Sequence, residues 1–459
     1  MKLRTSFFDK ATFQKDITRF MPLWALYTVF LLLTMLTTVT GVSYYSHPAR
    51  ALNNSLNGLS VFNFLYGILS AQLLFGELFN SRLCNALHAM PVTRKARFGS
   101  HIFAGILFAW IPNLLTCVLM LPSLGHLWYT AFLWLAVCSL QYLFFFGVAV
   151  FSAMCTGSRF AMVLVYGIVN FLSPVIYWFV GTVYLPMMPG VELDGTILNL
   201  FCPLVQMLDE SDYFILTVME PGKYMDSAHV VFEGLGESWP YLFIVAGVGV
   251  AALIGALVMY RRRKMESAGD FIAVKWIAPI FLTLYTLCAG AFLTIFGSIF
   301  GSDGYLFFLC LGLVIGVFTG KMLIERTIRV FRKKNFLLAG IFVVALLVSL
   351  IPVQGDWFGI VSYVPEAEDV EYVEVHSRSI SRDDFSDPEE IALVCQIHND
   401  AIANLEHNDD SPCSGAHYYF YVSYHLKNGR TVTRYYDICQ YSAAYDLIED
   451  LADKADKIY

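Results

Sequence analysis

Gly316-Val317-Phe318-Thr319-Gly320-Lys321 is the stretch of this chain nearest to a fingerprint for phosphate chemistry. A loop of the form G-x-x-x-x-G-K-[ST] cradles phosphates on backbone amides, brings a lysine to them and offers a hydroxyl to magnesium. This hexad is one residue short, lacks the closing Ser or Thr and lies inside an apolar run. No other stretch fits, so the chain does not bind ATP by that route, and any ATPase must be a separate subunit. The ten histidines are dispersed, without the spacing of metal ligands. Neither His-Glu-x-x-His nor Gly-x-Ser-x-Gly occurs. The apolar segments hold almost no Asp, Glu, Lys or Arg away from their ends; Glu77, Lys275, Lys321 and Glu325 stand near interfaces. Ion-coupled transporters and proton pumps need buried ionisable relays, and none is legible here. The polar groups left inside are neutral, namely Asn63, Gln72, Asn113, Gln141 and Asn170, beside Pro112 and Pro174. Such amides join helices by hydrogen bonds or line a route for an amphiphilic substrate. No enzymatic activity, cofactor or metal is expected of the chain itself.

The most informative polar stretch is an island from Glu77 to His101 between two long hydrophobic segments. Within it Leu83, Leu87 and Met90 fall at i, i+4 and i+7, which gives a short helix an apolar face. Pro91 removes a backbone donor and ends that helix, and Val92 and Thr93 lead into the basic cluster Arg94, Lys95 and Arg97. An amphipathic helix held at the cytoplasmic side of a membrane is a surface for a soluble partner.

The elements around the island follow from composition. The chain is 57% hydrophobic and 15% charged, against roughly 45–50% apolar in ordinary globular domains. Apolar runs of about 20 residues recur, each long enough for a bilayer core of roughly 30 Å. They fall at about 22–42, 59–78, 98–122, 127–154, 160–185, 240–260, 276–300, 305–324 and 336–353. The fold class read from this is a polytopic α-helical membrane protein of about nine transmembrane helices with a C-terminal α+β soluble domain. Residues 1–21 form a cytoplasmic interfacial helix, with Phe13, Ile17 and Phe20 on one side and Lys10, Lys15 and Arg19 elsewhere. The charged region there is long and no small-x-small site follows, unlike a cleaved signal peptide. With the N-terminus inside, the basic clusters around Arg82–Arg97, Arg159, Arg261–Lys264 and Lys321–Lys334 all fall on the cytoplasmic face. Only Arg50 and Lys223 of the membrane body are left outside. An odd number of crossings puts the C-terminal domain outside. Region 186–239 also faces outward, and its apolar stretch Thr196–Leu208, too short to span, reads as re-entrant or interfacial. Small residues at four-residue spacing, Gly247, Ala251 and Gly255 in one segment and Gly312, Gly316 and Gly320 in another, are candidates for close helix packing.

The net charge of −7 hides a division. Residues 356–459 hold 21 acidic and 7 basic side chains, and residues 1–355 hold 16 acidic and 23 basic. A basic membrane body therefore carries an acidic tail, and neither half has the basic, aromatic-interleaved face of a nucleic-acid binder. In the tail, Asp387-Pro388-Glu389-Glu390 opens a helix with a cap, a proline at the first position and acids in the first turn. His417–Leu426 alternates Tyr418, Phe420, Val422, Tyr424 and Leu426 on one face, and Asn428-Gly429 turns it into Arg430–Tyr436 as a hairpin. Val370–His376 reads as a further strand and Tyr441–Lys457 as a closing helix. Cys395, Cys413 and Cys439 permit at most one bridge within the tail.

The island resembles the coupling helix of ABC-2-type ABC transporter permeases. The pattern is a glutamate ending a hydrophobic segment, a leucine-rich short helix and then Pro-Val-(Ser/Thr)-Arg. Here it falls on Glu77, Leu83, Leu87, Met90, Pro91, Val92, Thr93 and Arg94, with Arg82 inside it. The usual Gly-Thr-Leu is replaced by Asn80, Ser81, Arg82 and Leu83. The resemblance implies a six-helix permease core over 22–260, a coupling helix at about 79–92 and an outer re-entrant region at 186–239. Tyr260 to Gly269 is similar to a segment of a larger Gram-positive branch of these permeases, which adds helices (here 261–355) and a C-terminal extracellular domain (356–459). It further implies a cytosolic ABC ATPase subunit that binds the ATP, a second permease subunit in a homo- or heterodimer, and a bacterial cell membrane as the location. The function so implied is outward movement of an amphiphilic substrate such as a peptide antibiotic, lipid or drug. The alternative is a membrane-anchored sensor or scaffold displaying an extracellular binding domain.

Overall fold

The computed structural model describes residues 7–456 apart from 46–47, 125–127, 194–199, 210–214, 221–228, 236–237, 264–266, 298–303, 378–379, 381–383, 408–416 and 441. The chain is mostly helical and divides into two compact units. The first comprises residues 1–173, 199–285 and 317–331, and the second residues 174–198, 286–316 and 332–459. These boundaries cut through apolar helices rather than falling at 355, where composition changes, or at 260, where the resemblance ends the six-helix core.

In the first unit, helix α1 (Lys10–Arg19) is capped by Asp9, whose carboxylate accepts the Thr12 amide at 2.9 Å. It bends by 57° at Phe20 into α2 (Met21–Tyr45). Helix α3 (Pro48–Leu74) leads through a 3₁₀ turn (Gly76–Phe79) into the short α4 (Ser81–His88). Then come α5 (Arg94–Leu124), α6 (Thr130–Cys155) and α7 (Arg159–Val183). Helix α6 is the most buried of the apolar helices and packs against α3, α5 and α9 (Trp239–Arg262). Three of the five neutral amides noted in the sequence, Asn63, Asn113 and Gln141, lie at these contacts, while Gln72 donates to the Arg159 carbonyl and Asn170 to Tyr166 of its own helix. The Tyr27 hydroxyl sits 3.0 Å from Asn63 Oδ1 and 2.9 Å from Asn113 Oδ1, and its single proton serves one at a time. Asn63 Nδ2 donates to Gln141 Oε1 (3.2 Å), and Gln141 Nε2 to Ser60 Oγ (2.9 Å). One buried network thus joins α2, α3, α5 and α6.

Among the described residues, seven helices are long and apolar enough to cross a membrane, or eight if the bent α1–α2 pair is one span. The seven are α5, α6, α7 extended to Met187, α9, α10 (Ile277–Gly297), α11 (Gly304–Glu325) and α12 (Lys333–Gln354). Helix α3 is 27 residues long but carries Asn57, Ser60, Asn63 and Ser70 and falls short of that apolarity. Between α7 and α9 the chain forms a short helix, α8 (Pro203–Asp209), and an antiparallel pair, β1 (Ile215–Glu220) with β2 (His229–Leu235). Leu204 and Met207 of α8 join the core of the first unit. The residues from 194 to 199, where the expected re-entrant stretch begins, lie outside the described residues. The hairpin was not foreseen, because neither strand shows clean alternation.

In the second unit a four-stranded antiparallel sheet of order β4-β3-β5-β6 (Asp384–Phe385, Val370–Ser377, His417–Leu426, Thr431–Cys439) carries α13 (Pro388–His407) and α14 (Ala443–Asp456). Phe420, Val422 and Tyr424 of β5 are fully buried with Val373, Val375 and Ile397, as the alternation requires. Gly429, at φ +80°, makes the turn that Asn428-Gly429 announces.

Candidate functional site

The polar island folds as the sequence dictates locally. Asn80 closes the 3₁₀ turn and caps α4, its Oδ1 accepting the amides of Arg82 (3.0 Å) and Leu83 (3.3 Å). Asn80, where the island differs from the resembled pattern, thus supplies a helix cap. Thr93 caps α5, with Oγ1 accepting from the Ala96 amide at 3.2 Å. Helix α4 spans only Ser81–His88 rather than about 79–92, so Met90 lies past the helical face expected of it, in a tight turn where the Val92 amide donates to its carbonyl (2.8 Å). Arg82, Leu83, Met90 and Pro91 are exposed, Val92, Thr93 and Arg94 half-buried, and Glu77 buried. Leu83 is 39% and Met90 50% exposed, so both present apolar atoms outward. The Leu87 side chain lies outside the described residues.

Two arginines tie this exposed element to the ends of long helices. Arg94 Nη1 donates to the carbonyls of Tyr260 (3.5 Å), Arg261 (3.4 Å) and Arg263 (3.0 Å), at the C-terminus of α9. A cation suits the negative end of a helix dipole. Arg263 is buried and donates to Ala153 (2.9 Å) and Met154 (3.3 Å) at the end of α6, and to Leu78 (3.1 Å) in the 3₁₀ turn. Burial lowers its pKa to about 10, which leaves it a cation at neutral pH. Cys84 faces inward beside Arg263 and Glu77, and burial pushes its thiol up, away from reactivity.

Beneath α4 lies a cavity of about 300 Å³ whose walls include Leu83, Met90, Glu77, Arg97, His101 and Asp16. His101 Nδ1 is 2.6 Å from Asp16 Oδ2, and its Nε2 is 3.7 Å from Glu77 Oε1; all three groups are buried. Helix α1, the island and the start of α5 are thereby joined through one imidazole. Sequence reasoning missed Asp16, His101 and Arg263. Asp16 and His101 are 85 residues apart with no local motif, and Arg263 is hidden in a basic run that reads as an orientation signal. The hint was that His101 and Arg97 stand on the first turns of an apolar helix, where a charged group needs a partner.

The small-residue stripes fall differently in the two helices. A Cβ at Gly312 would lie 2.8 Å from the Ala289 carbonyl, and one at Gly316 2.9 Å from Thr286 Cα. One at Gly320 would meet Leu282 Cδ1 at 2.7 Å. In α9, by contrast, Gly247 faces open space, Ala251 is exposed and Gly255 has ordinary contact with Phe151. The close approach there is at Gly249, where a Cβ would stand 2.6 Å from Phe144 Cα, with Gly147 opposite. Among the described residues no group of His, Cys, Asp and Glu could hold a metal ion.

Comparison with family profiles, with curated proteins and with solved structures finds no match for the chain in any of the three.

Proposed function

We propose that the chain is the membrane permease subunit of an ATP-driven ABC exporter, with α4 as the element that receives the stroke of a cytosolic ATPase subunit. The observation that carries this reading is an exposed short helix held at both ends. Asn80 and Thr93 cap it and its successor, while Arg94 and Arg263 fasten it to the ends of α6 and α9. A push on Leu83 and Met90 is therefore passed to the helices that form the core, because packed helices move as units. In this reading the nine helices α2, α3, α5–α7 and α9–α12 all cross the bacterial membrane, and a second permease copy or a paired permease completes the path. The cargo class is an amphiphile, since the polar groups along the apolar helices are neutral amides, and the buried ionisable groups Asp16, Glu77 and His101 gather at the island end of α5. The N-terminus is cytoplasmic and the C-terminal domain extracellular. A disulfide at Cys439 supports the latter, since such bonds persist in oxidising compartments.

The test is a gentle-detergent pull-down of the tagged chain from its native cells, assayed for co-purifying ATPase activity. An ATP-hydrolysing partner in stoichiometric amount is expected. Leu87→Asp with Met90→Asp should remove it at least tenfold while the chain still reaches the membrane. An intact chain without any ATPase would sink the permease reading and leave the sensor reading, in which the outer domain carries the function.

A further inference from the structure

The second unit holds a cavity of about 360 Å³, the size at which small-ligand pockets begin. It lies along β6, the edge strand of the sheet, and is walled by Glu192, Phe358, Ile360, Tyr363, Thr431 and Arg434 among others. The segment around Gly190 covers one end of that edge, where the Tyr435 amide donates to the Gly190 carbonyl at 3.0 Å and Val191 bridges Arg434. The facing loop is rigid. Asp356, at φ +45°, accepts the amides of Ile360 (2.7 Å), Val361 (3.0 Å) and Ser362 (2.9 Å) and the Ser362 hydroxyl (2.8 Å). The loop therefore presents Trp357 and Phe358 to the surroundings, 73% and 71% exposed.

The charges in this cavity are uncompensated. Arg434 is 6% exposed, and two of its nitrogens donate to the carbonyls of Thr433 and Ile360 (2.9 Å each). Its Nε has no partner, and no carboxylate among the described residues pairs with it. A buried cation bonded only to neutral groups is costly and gains from an anion. Glu192 is exposed on the same cavity and forms no ion pair with Arg434. A guanidinium and a carboxylate that share a cavity without neutralising each other match a ligand bearing both an anionic oxygen group and an amine. The exposed aromatic wall begins only a few residues after the end of α12, a helix apolar enough to cross a membrane. The ligand's apolar part therefore has rings to lie on.

We propose that this cavity binds the zwitterionic head of an amphiphile, with its anionic oxygens on Arg434, its ammonium on Glu192 and its first apolar atoms against Phe358 and Tyr363. The site stands on the geometry of this unit alone and holds whether the chain is a permease or a sensor. The experiment is calorimetric titration of the full chain in uncharged detergent with dihexanoyl-phosphatidylethanolamine, dihexanoyl-phosphatidylglycerol and O-phosphoethanolamine. The ethanolamine lipid should saturate one site per chain. The glycerol lipid, without an ammonium, should bind at least tenfold more weakly, and so should O-phosphoethanolamine, without acyl chains. Glu192→Gln should reduce the ethanolamine lipid to the level of the glycerol lipid. Phe358→Ala should weaken the lipid and leave O-phosphoethanolamine unchanged. Both substituted side chains are exposed, so these variants keep the fold where Arg434→Met need not. Equal binding of the two lipids would overturn the zwitterion, and O-phosphoethanolamine binding as tightly as the lipid would overturn the amphiphile. Absence of saturation would overturn the site.

Discussion

Single side chains hold distant backbone together in this protein. Arg263 serves carbonyls of α6 and of the 3₁₀ turn, 109 to 185 residues away in sequence. Arg263→Met should lower stability by about 3 kcal/mol, since each hydrogen bond to a charged group contributes about 1.5–3 kcal/mol and the orphaned carbonyls keep part of the cost. Thermal unfolding of the detergent-solubilised chain reads it, and Arg263→Lys should recover only part of the loss. In the C-terminal domain His398 sits between the hydroxyls of Tyr424 (3.1 Å) and Tyr436 (2.8 Å). Burial, then the nearby Arg434, lowers its pKa from 6.5 to about 3. The imidazole is therefore folded in its neutral form. Its contribution is complete above about pH 6.5 and is lost as the pH falls towards 3, about 2 kcal/mol of it by pH 5. Amide hydrogen exchange of the sheet within the full chain, at pH 7 and pH 5, should show that loss. Unchanged protection at pH 5 would refute the buried neutral imidazole.

At the scale of elements, close helix approach is decided by rotation about the axis rather than by spacing alone. Helix α9 has small residues at Gly247, Ala251 and Gly255, yet α6 is met by the next face round, at Gly249. Gly249→Ala would drive a methyl group into the Phe144 backbone, with no flexible side chain to give way. It should cost about 1–3 kcal/mol, as overpacking does. Gly247→Ala, whose Cβ meets open space, should be silent in the same thermal assay.

For the whole molecule, the basic body and acidic tail make a prediction about sides. With the tail outside, Cys439 is oxidised in cells and protected from an impermeant maleimide until a reductant is added. Cysteines of the body, buried at Cys84, Cys138 and Cys155, should stay unlabelled from outside in both states. Labelling of intact cells before and after reduction measures this, and a Cys439 reached only after lysis would reverse the orientation. The division into units carries a second lesson. Composition places a break at 355 and the resemblance one at 260, whereas packing groups the C-terminal part of α7 and much of α10 and α11 with the tail's unit. Composition records solvent preference, while a unit is defined by which surfaces are buried together.

The sequence by itself determined the mostly helical class, with apolar helices long enough to cross a membrane, and the island between them. It also determined the Asn428-Gly429 hairpin, the strands from Val370 and His417, and the helix opened by Asp387. These rest on local terms: hydrophobic run length, period-two alternation, caps and glycine's access to positive φ. Within the island a short helix ahead of Pro91 was legible, but its end at His88, which leaves Met90 beyond the expected helical face, and the cap supplied by Thr93 were not. Only the tertiary structure decided that Glu77 faces a histidine bound to Asp16, that Arg94 and Arg263 lock the island to α6 and α9, and that Arg434 is buried beside Glu192 without pairing with it. Each of these depends on which face of one element meets which face of another far along the chain. Periodicity fixes that a helix has an apolar face, but in a helix apolar all round it does not fix which side packs inward.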